Sequence, residues 1–357
     1  MLNLFINNQI IMKTNQLILA AALVALAACN KDNFDLNGRN NALGNNEIGF
    51  KAVARKATKA NDAIITGATY DTLNTFHVWG WQTEKEGNDA YSDLSDAAES
   101  NFMSDIKIEW TVGRNTERTD TAWRNKQNYY YWPFTGRISF LAIHPYEVNP
   151  TSAAWDASHK KPVADIANYT VVGKDSTDLM FACADGARRA DALPLVFKHA
   201  LSQIQFRVRT DQDYTEDGVE FKIDSIKINN IALSGDVHYE NDTISWSNQA
   251  AQTALCEYYK ETQVVTHAAD SSASTLYGKA LVMIPQDENA ETTLTVGYTM
   301  KQGDNAAISG TVTVAAPQEW VVGTKYVYSL KFCLNEILFN PTVDNWVVVN
   351  VAEIAIP

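Results

Sequence analysis

From residue 47 onward, apolar residues recur at every second position in short runs separated by Gly, Asn, Asp and Pro. A period of two marks a strand with one buried face, and no long stretch holds the 3.6-residue period of a helix. The expectation is an all-β protein. Leu294, Val296, Tyr298 and Met300 alternate with Thr293, Thr295, Gly297 and Thr299, and Tyr326, Tyr328, Leu330 and Phe332 alternate with Val327, Ser329 and Lys331. Between Phe221-Lys222-Ile223 and Ile226-Lys227-Ile228 the apolar parity switches, which predicts a bulge or bend at Asp224-Ser225. The first half is more aromatic, with strands predicted at Phe76–Trp81, Tyr129–Phe134 and Ile138–Ile143. Residues 149–192 read as irregular. Ala190-Asp191-Ala192-Leu193-Pro194 reads as a joint before a strand from Leu195 to Val208, which places a domain boundary near residue 190.

One apolar run departs from this pattern. Leu17 to Ala28 follows the basic Lys13, is too short to cross a bilayer and ends in Leu26-Ala27-Ala28-Cys29. That string resembles a lipobox, at which a signal peptide is removed and the new N-terminal cysteine is acylated. The expectation is therefore a signal peptide over residues 1–28, with Met12 as its natural start, and lipidation at Cys29. Residues 29–46, rich in Asn, Asp and Gly, read as a flexible tether. Two or more acyl chains suffice for a stable anchor.

Composition narrows the partners. The 357 residues carry 29 basic and 42 acidic side chains, a net charge of -13, which argues against nucleic acid and against anionic lipid surfaces. Beyond Cys29 the cysteines are Cys183, Cys256 and Cys333, an odd number without CxxC spacing, and they read as buried free thiols. No HExxH, GxGxxG, P-loop or GxSxG string occurs. The six histidines are scattered and read as surface or core residues, with His199 assigned to packing. Asp211-x-Asp213 with Asp217-Gly218 misses EF-hand spacing and reads as a polar turn. No catalytic residue, metal ligand or cofactor is expected, and the chain is not expected to be an enzyme.

Several strings, taken in order, resemble the fimbrillin-like lipoproteins of Bacteroidetes, the type V pilins. They are Glu47-Ile48-Gly49-Phe50, Phe76-x-Val78-x-Gly80, Tyr130-Tyr131-Trp132-Pro133 and Asp178-Leu179-Met180-Phe181-Ala182. Phe197-x-His199-Ala200-Leu201-Ser202-Gln203-Ile204-x-Phe206 follows, then Ile284-Pro285-Gln286 and Trp320-x-x-Gly323-x-x-Tyr326-x-Tyr328. Asn30-Lys31-Asp32-Asn33 is similar in part to the tag that sends such lipoproteins to the outer leaflet of the outer membrane. The resemblance implies two transthyretin-like, Greek-key β-sandwich domains in tandem, 47–190 and 191–357. It also implies a structural or adhesive role in surface fimbriae.

In such pilins an arginine-specific protease removes the first strand, and a strand from another subunit fills the groove. The resemblance makes Glu47 to Lys59 that strand. Cleavage after Arg55 would detach most of it with the lipid, whereas cleavage after Arg39 would release the lipid alone. Arg55 is favoured for a shaft subunit, with an uncut strand-face arginine as the alternative. The candidate donor is the segment 345–357, where Trp346, Val348, Ala352, Ile354 and Ile356 share one parity. Burying five such side chains contributes on the order of 8 to 15 kcal/mol before association costs. The same segment could instead be the last strand of its own domain. Expected partners are other fimbrial subunits, the outer membrane, and a host or bacterial surface glycan or protein.

The tryptophans support a second reading, a glycan-binding surface lipoprotein of a polysaccharide-uptake system. Trp79, Trp81, Trp110, Trp123, Trp132 and Trp155 all lie before residue 190. Exposed and coplanar rings favour sugar stacking; inward-pointing rings favour a pilin body.

Overall fold

The computed structural model describes residues 47–54, 74–82, 94–112, 121–134, 136–171, 177–189, 192–251, 256–259, 262–316, 318–333 and 337–342. All of them belong to one compact unit, and every regular element among them is a strand. The first sheet closes on itself as a barrel. Its order is β1 (Phe50–Ala54), β4 (Thr121–Arg124), β3 (Met103–Val112), β2 (Phe76–Gln82), β5 (Ile138–His144), β8 (Met180–Gly186) and β9 (Leu193–His199). A second sheet runs β13 (Thr243–Ala251), β12 (Ala232–Glu240), β7 (Lys161–Thr170), β6 (Ser152–Asp156). The third runs β16 (Thr275–Met283), β10 (Ser202–Thr210), β19 (Lys325–Phe332), β20 (Ile337–Thr342). The fourth runs β14 (Cys256–Tyr259), β11 (Val219–Asn229), β17 (Thr293–Gln302), β18 (Ile308–Ala315), and β15 (Gln263–Val265) also pairs with β11.

Two cores explain the unbroken apolar runs of β2 and β5. Phe76 and Val78 of β2 and Ile138, Phe140 and Ala142 of β5 fill the barrel. The opposite faces, Trp79 and Trp81 with Leu141 and Ile143, enter a second core shared with Trp155, Ile166, Val237 and Tyr239. A strand covered on both faces has no polar parity to show, so it reads as continuous hydrophobicity. Phe181 of β8 stacks on Tyr239 of β12 with ring centroids 5.1 Å apart, which ties the barrel to the second sheet.

The expected bulge is present: the β11–β17 register shifts between Ile223 and Ser225. Opposite it, a Cβ on Gly297 would come within 2.5 Å of Ser225 Oγ, so the bulged strand presses on a position without a side chain. Three expectations need correction. Residues 149–192 contain β6, β7 and β8. In β7 the buried parity is Pro162, Ala164 and Ile166, of which only Ile166 is a large apolar strand former, so the alternating signal is weak. The run Tyr129–Phe134 makes one isolated bridge, Glu47 with Tyr131, in place of a strand. Pro133 has no N–H to give a ladder there.

The strand expected from Leu195 to Val208 is two strands in two sheets. It breaks at Ala200-Leu201, where the Ala200 N–H donates to Leu179 O at 2.7 Å and the Gly323 N–H donates to Leu201 O at 3.0 Å. The chain thus leaves the barrel at that corner, while the expected boundary at 190 falls between β8 and β9, which pair with each other at Met180–His199 and Phe181–Lys198.

Candidate functional site

Strand β1 closes the barrel and is held on two edges by unequal means. Along one edge it runs parallel to β9, with Phe50 to Ala54 opposite Leu193 to Phe197. The Leu193 N–H donates to Gly49 O at 2.8 Å. Along the other edge it meets β4 at a single pair, Phe50 opposite Trp123, and the Ile48 N–H reaches Tyr130 O at 2.7 Å. Ile48 and Phe50 share a parity and point into the barrel core beside Trp123, Trp132, Leu195 and Phe197. Phe50 meets Phe140 edge-on at 5.2 Å, and Phe76 meets Phe197 in the same way at 5.3 Å. Edge-to-face contacts of this kind add to the hydrophobic gain of the buried rings.

A buried ion pair marks the start of the strand. Arg124 Nη1 stands 3.4 Å from Glu47 Oε2, and the two side chains are 3% and 2% exposed. Charges this deep are retained only when paired, so the carboxylate of Glu47 fixes where β1 begins against β4. Gly186 of β8 shapes the adjoining wall, because a Cβ there would lie 2.4 Å from Trp132 Cη2.

Several expected site residues, Cys29, Arg39, Arg55, Trp346, Val348, Ala352, Ile354 and Ile356, lie outside the described residues. The tryptophans are placed: Trp79, Trp81, Trp123, Trp132 and Trp155 are buried, and Trp110 is 37% exposed. Trp81 also donates its indole N–H to Ala98 O at 2.9 Å. These five rings serve the cores and offer no stacking platform. Exposed aromatic surface is supplied instead by Tyr131 and Phe134, the latter covered by the guanidinium of Arg188 at 4.5 Å.

Cys183 and Cys333 are half-buried thiols, and burial pushes the Cys183 thiol up to about 12, which keeps it an unreactive thiol. Asp211 accepts the Tyr214 hydroxyl and Asp213 caps Thr215, so both carboxylates serve the turn.

His199 is packed inside, as expected, and also makes a polar contact that the sequence did not show. Its Nδ1 lies 2.6 Å from Asp178 Oδ2, with both side chains buried at the corner where the chain leaves the barrel. Burial alone would lower the pKa of His199, but the charge and hydrogen bond of Asp178 outweigh it and raise the pKa. His144 shifts the other way, chiefly through burial. The cavity beside the pair measures about 10 Å³, room for one water and not for a substrate. The structure also gathers Asp156, His159 and Glu240, a group the sequence spacing did not suggest.

The described body is all-β, in several sheets, and its first strand both fills a core and closes a barrel. The chain belongs to the fimbrillin-like family, whose model matches residues 58–346. No curated protein sequence matches it. Among solved structures it is similar to a fimbrial protein from Bacteroides vulgatus at 20% identity and a TM-score of 0.60, over 85% of this chain and 100% of that one. It is also similar to a candidate cell adhesion protein from Bacteroides ovatus, at 15% identity and a TM-score of 0.47, over 85% and 98% of the two chains.

Proposed function

We propose that this chain is a structural and adhesive subunit of surface fimbriae, exported as an outer-membrane lipoprotein and assembled by exchange of its first strand. The carrying observation is the dependence of β9 on β1. Five residues, Leu193 to Phe197, are paired by β1, and β8 pairs only Lys198 and His199. Removing β1 opens the barrel, takes that ladder away and uncovers a core strip around Leu193, Leu195 and Phe197. An incoming extended strand restores both the ladder and the cover.

In this reading Cys29 carries the lipid and 29–46 is the tether. Cleavage after Arg55 then detaches β1 and lipid together, whereas cleavage after Arg39 frees the lipid and leaves β1 in place. The body is read as two transthyretin-like sandwich domains in tandem. The donor is the segment 345–357 of a neighbouring subunit. Its Glu353-Ile354-Ala355-Ile356 repeats the order of acid, isoleucine, small residue and large apolar residue found in Glu47-Ile48-Gly49-Phe50.

The test is a binding titration. The purified chain is cut by an arginine-specific protease and mixed with a peptide of sequence 345–357. Binding to the cut form but not to the intact form, weakened by Ile354→Asp in the peptide, is the expected result. Equal binding to both forms, or none to the cut form, contradicts the exchange.

A further inference from the structure

We propose that Asp156, His159 and Glu240 form a binding site for one divalent first-row transition cation, with Zn²⁺ as the ligand to test first. Asp156 and His159 come from the hairpin that joins β6 to β7, and Glu240 ends β12. One donor atom from each residue lies within 4.8 Å of the others. His159 Nδ1 faces Asp156 Oδ2 and stands 3.4 Å from Glu240 Oε1. Zinc bonds of about 2.0–2.2 Å in tetrahedral geometry require donor separations of roughly 3.3–3.6 Å. The His159–Glu240 spacing already meets that, and His159, 43% exposed, has room to rotate away from Asp156.

The carboxylates are held by their own neighbours, while His159 must swing to admit an ion. Asp156 Oδ1 is spent within its own turn, accepting the Ser158 N–H at 2.8 Å, the Ser158 hydroxyl at 2.6 Å and the His159 N–H at 3.3 Å. That leaves Oδ2 aimed at the imidazole. On the other side His238, two residues from Glu240 on the same face of β12, places its Nε2 3.6 Å from Glu240 Oε2. The Nδ1 of His238 is 2.7 Å from Asp165 Oδ1, and Asp165 Oδ2 accepts the Ser152 hydroxyl at 2.6 Å. In metal sites the ligating carboxylates are themselves held by outer partners, and His238, fixed by Asp165, stands on that side of Glu240. One imidazole and two carboxylates suit Zn²⁺, Cu²⁺ or Ni²⁺ better than Ca²⁺ or Mg²⁺, which prefer oxygen alone. Two carboxylates also balance the ion's charge, and the exposed side leaves a coordination position for water. A bound ion would clasp the β6–β7 hairpin to the end of β12.

The full chain is titrated with ZnCl₂ by calorimetry, and with Cu²⁺ under electron paramagnetic resonance. One Zn²⁺ per chain, a rise in melting midpoint on adding Zn²⁺, and Cu²⁺ hyperfine coupling to one imidazole nitrogen are expected. His159→Ala should abolish the nitrogen coupling and the Zn²⁺-dependent rise. His238→Ala, a positioning change, should weaken Zn²⁺ about tenfold or more, while His267→Ala should change nothing. Zn²⁺ binding that survives His159→Ala unchanged, or no stoichiometric binding by the native chain, overturns the proposal.

Discussion

Replacing Phe50 by alanine removes the largest side chain that β1 places in the barrel. Phe50 is 1% exposed and sits edge-on to Phe140. A buried Phe→Ala change costs about 3–5 kcal/mol, the sum of lost transfer energy and the cavity left behind. If β1 opens as a unit, that cost falls on its opening equilibrium, and each 1.4 kcal/mol is a factor of ten. Hydrogen exchange of the peptide spanning 47–54 should therefore speed up by on the order of 10² to 10⁴. The peptide spanning β17, whose side chains belong to the other core, should keep its protection. An acceleration below tenfold would mean that Phe50 does not hold the strand. The same acceleration in β17 would mean that β1 cannot leave without unfolding the whole body, and either result refutes strand-wise release.

Three further outcomes follow from particular contacts. Gly186→Ala drives a Cβ into the Trp132 ring and should destabilise the chain by about 1–3 kcal/mol, with a shift in tryptophan emission on denaturant titration. The two buried histidines should titrate on opposite sides of the ordinary value near 6.5 in a nuclear magnetic resonance pH series, His199 above and His144 below. By linkage, the His199–Asp178 pair contributes stability fully present below the unfolded value and lost as pH rises through the raised folded value. His144, held neutral, contributes stability above the unfolded value that is lost as pH falls. Asp178→Asn should bring His199 down and remove the first dependence, and it should push His144 lower still, because the charge of Asp178 partly offsets the burial of His144; an unchanged His199 titration refutes the pairing. Glu47→Lys places a second cation against Arg124 and should cost about 3–5 kcal/mol, read by thermal melting.

Much of the fold was legible because strands with one wet face announce themselves. The parity switch at Asp224-Ser225 located a bulge from sequence alone. Strand β7 was missed because Ala164 and Pro162 bury little apolar area, so the alternation there lacks contrast. The break at Ala200-Leu201 was missed because both residues are apolar and buried, which local pattern cannot tell from a continuing strand. The parallel pairing of β1 with β9 joins residues about 140 positions apart, and no local signal carries such a contact. The pairs Glu47–Arg124 and Asp178–His199, and the gathering of Asp156, His159 and Glu240, depend on that tertiary arrangement in the same way. Glu47 was legible as the head of a strand; its buried partner was not.

Assembly by strand exchange requires the subunit in the polymer to have lost its first strand. Intact-mass and peptide mass spectrometry of the protein taken from native surface polymers tests it most directly. The expected result is a mature chain beginning at Lys56, without lipid and without β1. Polymers built from chains that still carry an acylated Cys29 and residues 47–55 would contradict it.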